Sequence, residues 1–218
     1  VLLIDFDPQG NLSSSIGVSP DGNGIYELLS GSTTLDQAIH STGQSGLFVV
    51  PSNINLTGAN VELVNAEERE QYLKRALRNR ESEWDYILID CPPSLGILTI
   101  NGLAAAHMVI IPLQCEYFAL EGLSLLMQTI KSVQGGINPA LDILGIVFTM
   151  YDTRTKLAHE VVNEVTGYFK KRVFRTIIPR NVRLSEAPSY GKPINQYDRN
   201  CIGAESYRKL AAEVMERV

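Results

Sequence analysis

The sequence predicts an α/β fold built on a doubly wound, mostly parallel β-sheet, and three observations lead to this fold class. Short apolar, β-branched segments alternate with helical patterns along the chain. These segments are apolar at nearly every position, as strands are when helices cover both faces of a parallel sheet. The chain has 218 residues, of which 44% are apolar and 20% charged. That is enough for one α/β domain, which we expect to span residues 1–218.

Six segments have the composition of buried strands, and five have apolar residues at helical spacing. The predicted strands are residues 1–4, 47–50, 86–89, 108–112, 143–149 and 173–178. The predicted helices are residues 60–80, 98–106, 120–134, 157–171 and 204–218. Residues 180–202 are rich in Pro, Gly, Ser, Asn and charge, and a segment of this length and composition indicates a functional loop.

Composition and charge narrow the functional classes. The longest apolar runs, residues 108–113 and 143–150, fall far short of the roughly 20 residues that a membrane span needs, so we expect no membrane association. Three cysteines far apart in the chain suit free thiols in the reducing cytoplasm. Residues 1–150 carry 6 Lys and Arg against 16 Asp and Glu, whereas residues 151–218 carry 13 against 8. The basic C-terminal third favours contact with nucleic acid, and solvated surface cations are an equally good interpretation.

Two of the predicted strands end in carboxylates. Asp5 and Asp7 follow the first strand and lead into a turn with Pro and Gly, and Asp90 follows the strand 86–89. Ligands of parallel sheets gather beyond the carboxyl ends of the strands. Four apolar residues followed by Asp form the Walker B pattern, whose carboxylate can hold the water shell of Mg²⁺. Taken singly each signal is weak, because a strand-end Asp is commonly a helix cap or turn residue.

Five blocks taken together are far more specific. The block VLLIDFDPQGN (residues 1–11) resembles the switch I segment of ParA/Soj ATPases, and IDCPPS (89–94) resembles their Walker B and switch II segments. The blocks PLQCEYFALEGL (112–123), TMYDTRT (149–155) and IPRNVRLSEAPS (178–189) are similar to further segments of chromosomal ParA proteins. The resemblance covers essentially the whole chain, which is identified as a member of this family of deviant-Walker P-loop ATPases.

The resemblance also exposes a missing block. ParA proteins open with a strand, a glycine-rich KGGVGKTT loop and a helix, and no such run occurs in the 218 residues. The resemblance therefore aligns Val1 with the second strand of the family fold. Such a loop supplies the backbone donors, lysines and hydroxyl that hold phosphates and Mg²⁺. We expect ATP hydrolysis in a protein that carries the loop, and negligible ATP binding by these residues alone.

The resemblance implies roles for individual residues. Asp7 matches the switch I Asp that positions the attacking water. Asp90 matches the Walker B carboxylate, and Asp5 either supports the Mg²⁺ shell or shapes the turn. The base of ATP is expected near the ends of later strands. The candidates for contacting it are Met150, Pro179 and Asn181.

Arg154 and Arg183 match the positions that contact DNA without sequence preference in the family, with Lys156 as a weaker companion. For the arginines, a helix cap, a surface ion pair or a loop strut is the alternative role. The family resemblance implies an ATP-bound homodimer that binds double-stranded DNA on the nucleoid, in the cytoplasm. A ParB-type centromere-binding partner is expected to stimulate hydrolysis and release.

Three other functions are open to a chain of this fold. A MinD-like membrane-cycling ATPase would need a basic amphipathic helix at the C-terminus, whereas this sequence closes with AAEVMERV. A protein resembling the nitrogenase reductase would need two suitably placed cysteines for its iron–sulfur cluster, and only Cys91 lies in the switch II region. A non-enzymatic interaction module has only the missing loop in its favour.

Overall fold

The computed structural model describes residues 1–19 and 22–218, which group into two compact units. The first unit comprises residues 1–106 with 133–139, and the second comprises residues 107–132 with 140–218. A four-stranded sheet lies in the first unit and a two-stranded sheet in the second. Most strand pairs are parallel, so the predicted α/β class with a mostly parallel sheet is confirmed.

The sheet of the first unit is built around its first strand. Its strands are β1 (Leu2–Asp5), β2 (His40–Ser41), β3 (Phe48–Val50) and β4 (Ile87–Asp90), in the order β2-β3-β1-β4. The first strand pairs in parallel with β3 and β4, and β2 is antiparallel to β3. The helices of this unit are α1 (Asn11–Ser15), α2 (Ile25–Ser30), α3 (Leu35–Ala38), α4 (Leu56–Glu62), α5 (Tyr72–Leu77) and α6 (Ile97–Ala105). Leu2, Ile4 and Phe6 are fully buried at the centre of its core, which fixes the position of the carboxylates that follow them.

The second unit pairs two long strands in parallel. They are β5 (Met108–Gln114) and β6 (Asp142–Thr149). The helices that accompany them are α7 (Ala119–Gln134), α8 (Lys156–Phe169), α9 (Val182–Glu186), α10 (Ile194–Tyr197) and α11 (Ile202–Arg217). Val147 of β6 forms a buried cluster with Phe174 and Ile178.

The predicted strand 173–178 is wrong, because a buried carboxylate takes backbone donors that a strand would use. Near its two ends, backbone N–H groups of this segment donate to carbonyl groups of β6 at 2.8 Å. Between them, the N–H groups of Arg175 and Thr176 donate to the carboxylate oxygens of Glu213 on α11, at 2.9 and 3.0 Å. The segment therefore runs beside β6 with an isolated bridge between Ile146 and Val173 instead of a regular ladder.

The predicted helix 60–80 is also wrong, because the buried side chain of Asn101 interrupts it. Two short 3₁₀ turns separate α4 from α5. Asn101 Nδ2 donates to the carbonyl oxygen of Arg69 at 2.8 Å, and its Oδ1 accepts from the N–H of Leu73 at 3.2 Å. In a continuous helix that N–H would donate directly to that carbonyl oxygen.

The remaining predicted strands and helices are confirmed, and most of their ends lie one or two residues from the predicted positions. The short elements α1, α2, α3 and β2 were not predicted, because they are too short to show periodicity. Residues 180–202 are not a plain loop, since they contain α9, a 3₁₀ turn (Ala187–Tyr190) and α10. No helix in the described ranges has both the length and the apolarity to cross a bilayer.

Candidate functional site

Three carboxylates meet where β1 and β4 end, and we refer to Asp5, Asp7 and Asp90 as the carboxylate cluster. Asp5 and Asp90 are direct partners in the parallel register of the two strands. The N–H of Phe6 donates to the carbonyl oxygen of Asp90 at 2.8 Å. Because adjacent strands run about 4.8 Å apart, this register brings the predicted carboxylates together.

Asp5 is completely buried and binds the chain that follows it. One carboxylate oxygen accepts from the backbone N–H of Ser13 at 2.8 Å and from its hydroxyl at 2.6 Å. The other accepts from the N–H of Asp7 at 3.4 Å. The Ser13 hydroxyl in turn accepts from the N–H of Ser52 at 3.1 Å. Asp5 thus shapes the segment that carries Asp7, while its predicted support of the Mg²⁺ shell stays a prediction.

Asp7 lies in a tight turn whose geometry favours glycine at position 10. Its Oδ1 accepts from the N–H of Gln9 at 3.0 Å, and its carbonyl oxygen accepts from the N–H of Gly10 at 2.9 Å. Gly10 has a φ of 62°, and a Cβ there would lie 2.9 Å from the carbonyl oxygen of Ser52. The left-handed conformation and the close backbone contact both favour glycine, so the turn holds the Asp7 carboxylate in a defined place.

The acidity of Asp90 is strongly perturbed. The residue is exposed, yet partial burial of its carboxyl group is the largest cause of a pKa raised to about 6. The negative charges of Asp5 and Asp7 add to this rise. A cation beside Asp90 would offset both causes, and carboxylate oxygens are ligands that Mg²⁺ accepts. In the described ranges, no group of three or more His, Cys, Asp or Glu side chains has the arrangement of a complete metal site.

The segment after Asp90 is anchored by α6. The hydroxyl of Thr99 donates to the carbonyl oxygen of Ser94 at 2.5 Å and lies 3.3 Å from that of Pro92. Cys91 packs against Gly102 so closely that a Cβ at position 102 would force the thiol to shift. Burial, followed by the charge of Asp90, raises the pKa of the Cys91 thiol to about 12, so the thiol is neutral and packs as an apolar group.

The second unit brings two further predicted segments side by side. Tyr151, just after β6, forms a parallel bridge with Pro179. The N–H of Tyr151 donates to the carbonyl oxygen of Ile178 at 3.1 Å, and the N–H of Arg180 donates back to that of Tyr151 at 3.0 Å. The candidate base-binding and DNA-binding residues other than Lys156 therefore lie on adjoining segments, which we call the paired loops (residues 150–155 and 178–183).

Each paired loop has its own internal support. His159 on α8 lies 3.0 Å from the Tyr151 hydroxyl through Nδ1 and 3.0 Å from the carbonyl oxygen of Thr153 through Nε2. The imidazole protonated at Nε2 satisfies both contacts. In the other loop, Oδ1 of Asn181 accepts from the N–H of Arg183 at 3.0 Å and caps α9. The arginines therefore project from well-defined backbone.

Comparison with known proteins decides the family. A family model described as an AAA domain matches residues 1–143. The chromosome-partitioning ATPase Soj of Treponema pallidum is 61% identical over 99% of this chain and 85% of its own length. The chromosome partitioning protein ParA of Myxococcus xanthus is 56% identical over 99% of this chain and 77% of its own length. The chain belongs to the ParA/Soj family of partitioning ATPases.

A solved structure supports the same fold for this ParA/Soj chain. It is the cobyrinic acid a,c-diamide synthase of Mycobacterium smegmatis with bound ATP analog and magnesium. The two chains are 38% identical, with a TM-score of 0.83 over 99% of this chain and 81% of that one. The P-loop ATPase fold expected from the sequence is therefore confirmed.

The sequence of this ParA/Soj chain pointed to the carboxylates and the arginines as candidates, but not to the residues that support them. Met150, a candidate for the base, is 40% exposed and has a φ of 51°, a strained conformation of the kind often found at functional sites. Lys156 is exposed at the first position of α8. The supports that were missed are Ser13, Thr99 and His159. Ser13 and Thr99 carry no sequence signal, because ordinary hydroxyl residues become notable only through their buried contacts.

Proposed function

We propose that this chain is the catalytic and DNA-binding part of an ATP-driven DNA-partitioning protein. The observation that carries the proposal is the pairing of Asp90 at the end of β4 with Asp5 at the end of β1, with Asp7 two residues further on and close enough for its charge to act on Asp90. Carboxylates beyond the ends of parallel strands are where this class of ATPase handles magnesium and water. The close relatives named as chromosome-partitioning proteins support the biological role.

Phosphoryl transfer needs placement and charge neutralisation more than covalent help from the protein. Asp7 uses Oδ1 to hold its own turn, and we assign Oδ2 the task of accepting a hydrogen bond from the attacking water. Asp90 would hold Mg²⁺ through water, and buried Asp5 holds the segment that carries Asp7. Bound Mg²⁺ would neutralise charge on the phosphates of ATP. The glycine-rich loop typical of the family would cradle those phosphates, so the 218 residues alone are expected to bind Mg-ATP negligibly.

The paired loops serve ATP and DNA in this proposal. Met150, Pro179 and Asn181 contact the base, while Arg154 and Arg183, helped by Lys156, contact DNA phosphates. A homodimer that forms on ATP binding places two sets of arginines on one duplex, which makes affinity depend on ATP. A ParB-type partner that stimulates hydrolysis then releases the protein from the nucleoid into the cytoplasm.

Charge reversal tests the DNA surface. We expect the double variant Arg154→Glu and Arg183→Glu, in a protein that carries the glycine-rich loop, to lose affinity uniformly across DNA sequences and to show a flatter salt dependence. ATP hydrolysis and ATP-dependent dimerisation should persist. Arg208→Glu is the matched control, because Arg208 is an exposed arginine on α11 whose side chain donates to the carbonyl oxygen of Arg199.

The readout is fluorescence anisotropy of labelled random-sequence duplexes at several salt concentrations. Unchanged affinity in the double variant would contradict the assigned surface and move it elsewhere, first to the basic cluster Lys170, Lys171 and Arg172. Loss of dimerisation in the double variant would contradict the separation of DNA binding from nucleotide binding.

A further inference from the structure

Both arginines of the proposed DNA surface are already bound by carboxylates of the same chain. Arg154 donates from Nε and Nη2 to the two carboxylate oxygens of Asp152, at 2.9 and 2.6 Å. Arg183 donates from Nη1 to Glu186 at 2.9 Å, and its Nε lies 3.5 Å from a carboxylate oxygen of Asp198. Two arginines and three carboxylates carry a net charge of −1. The positive charge of these two arginines is therefore largely neutralised by neighbouring carboxylates, although the C-terminal third has an excess of basic residues.

Asp152 occupies the part of Arg154 that a phosphate would use. Two parallel N–H···O bonds from one guanidinium edge form the bidentate geometry by which arginine binds carboxylate or phosphate. Hydrogen bonds from the Arg154 side chain, followed by one from its backbone, hold the pKa of Asp152 well below its usual value. Because the Arg154 side chain is 85% exposed, water weakens the pair and a phosphate can displace the carboxylate.

Asp152 and Glu186 each accept a hydrogen bond that does not come from a guanidinium group. Oδ1 of Asp152 also accepts from the backbone N–H of Arg154 at 3.0 Å, which fixes the carboxylate to its own turn. Glu186 also accepts from the hydroxyl of Tyr197 at 3.0 Å, and that tyrosine stacks on Tyr190. An arriving phosphate therefore meets fixed negative charges beside each arginine, and these charges repel it.

We propose that Asp152 and Glu186 set the DNA affinity of this surface by competing with phosphate for Arg154 and Arg183. The inference rests on the proposed function, because it assumes that these arginines contact DNA. Competition keeps the contact of one subunit weak, so that stable binding needs both subunits of a dimer on one duplex. It also makes release fast once the dimer separates.

Removing one charge without disturbing the turn tests the competition. Asp152→Asn keeps an oxygen that accepts from the N–H of Arg154 and loses the negative charge. We expect it to bind a fluorescein-labelled random duplex about three- to fivefold more tightly in Mg-ATP and low salt, the scale of an exposed ion pair. Glu160→Gln removes the charge of an exposed glutamate on α8 and is the matched control, with less than about a twofold effect expected from screened charge.

A double-mutant cycle assigns the gain to the pair. In the Arg154→Gln background, Asp152→Asn should add no more affinity than Glu160→Gln does. Glu186→Gln provides a second arm, because it keeps an oxygen that accepts from Tyr197, and it should act only when Arg183 is present. Asp152→Ser replaces Asp152→Asn if the latter does not give a folded protein by circular dichroism.

The possible outcomes distinguish failure of this inference from failure of the proposed function. Weaker binding by Asp152→Asn would mean that the carboxylate orients Arg154 for phosphate, which overturns the proposal. If the gain in affinity equals that of Glu160→Gln, or persists without Arg154, it comes from the overall charge of the protein, and the proposal is also overturned. If the wild-type protein and every variant fail to bind DNA, the proposed function itself is contradicted, and the inference with it.

Discussion

Replacing Glu213 by glutamine should destabilise the second unit strongly, because this side chain supplies the hydrogen-bond acceptors that a neighbouring strand would otherwise supply. Glu213 is 4% exposed, and its oxygens accept from the N–H groups of Arg175 and Thr176. Arg217, which lies over the ring of Phe174, also donates to it at 2.7 Å. Glutamine keeps one oxygen but turns the other acceptor into an NH₂ group that faces a backbone donor.

Hydrogen-bond energies and the pKa shift of Glu213 give similar values for the stability lost in this variant. Leaving one buried N–H unsatisfied costs about 1–3 kcal/mol, and hydrogen bonds to a charged group are worth about 1.5–3 kcal/mol. Burial alone would raise the pKa of Glu213, but hydrogen bonds from the backbone of Arg175 and Thr176 and from Arg217 outweigh it and lower the pKa from 4.5 to about 2. By linkage this shift corresponds to about 3 kcal/mol of stability at neutral pH.

The assay is thermal unfolding by circular dichroism at several pH values. At pH 7 we expect the Tm of Glu213→Gln to fall by about 6–12 °C, since each kcal/mol moves the Tm of a chain of this size by about 2–4 °C. Glu216→Gln is the control, because that carboxylate is 66% exposed and binds the exposed Arg175.

The pH dependence gives a second check on the same variant. A carboxyl group whose folded pKa is depressed contributes its stability above its unfolded pKa and loses it as the pH falls through the folded value. The gap between wild type and Glu213→Gln should therefore be full above about pH 4.5 and narrow as the pH approaches 2. Equal Tm values at pH 7, or a gap that stays constant down to acid pH, would refute the reasoning.

Two further stability predictions follow from the first unit. Gly10→Ala should lower the free energy of unfolding, measured by urea titration, by about 1–3 kcal/mol, because Gly10 has a φ of 62° and the carbonyl oxygen of Ser52 lies close to its Cβ position. Gly122→Ala on α7 is the control and should raise the free energy of unfolding, because nothing lies near its Cβ position. A loss of stability in both variants would contradict this account. Asn101→Leu should cost about 2–4 kcal/mol by leaving two buried backbone groups without partners, and a variant as stable as wild type would show that the break between α4 and α5 does not depend on Asn101.

Local patterns predicted the strands and their terminal carboxylates well, because each depends on a few consecutive residues. Asp5, Asp7 and Asp90 were found in this way, and the register of β1 with β4 then brings them together. The wrong predictions share a different cause. Asn101 acts on a backbone 28 residues away, and Glu213 acts on one 38 residues away. No periodicity within a single segment reports such a partner.

The arginines show that sequence alone also cannot predict which charges are neutralised in the folded chain. The sequence predicted a basic C-terminal third, and counting charges cannot tell which cations are neutralised by their neighbours. Arg154 and Arg183 each face fixed carboxylates, whereas exposed Lys156 forms no ion pair with any described residue. A residue chosen as a weak companion is therefore the least neutralised of the three candidates, and the relative contributions to DNA binding become a question for measurement.

ATP hydrolysis by an Asp7→Ala variant, in a protein that carries the glycine-rich loop, tests the central claim most directly. Loss of water placement should reduce kcat by about a hundredfold or more while Mg-ATP binding persists, so the variant should elute as an ATP-dependent dimer in size-exclusion chromatography. Asp85→Ala, an exposed carboxylate before β4, should hydrolyse ATP as the wild type does. Unchanged hydrolysis by Asp7→Ala, or a monomer in the presence of ATP, would contradict the role assigned to Asp7 and with it the proposed catalytic site.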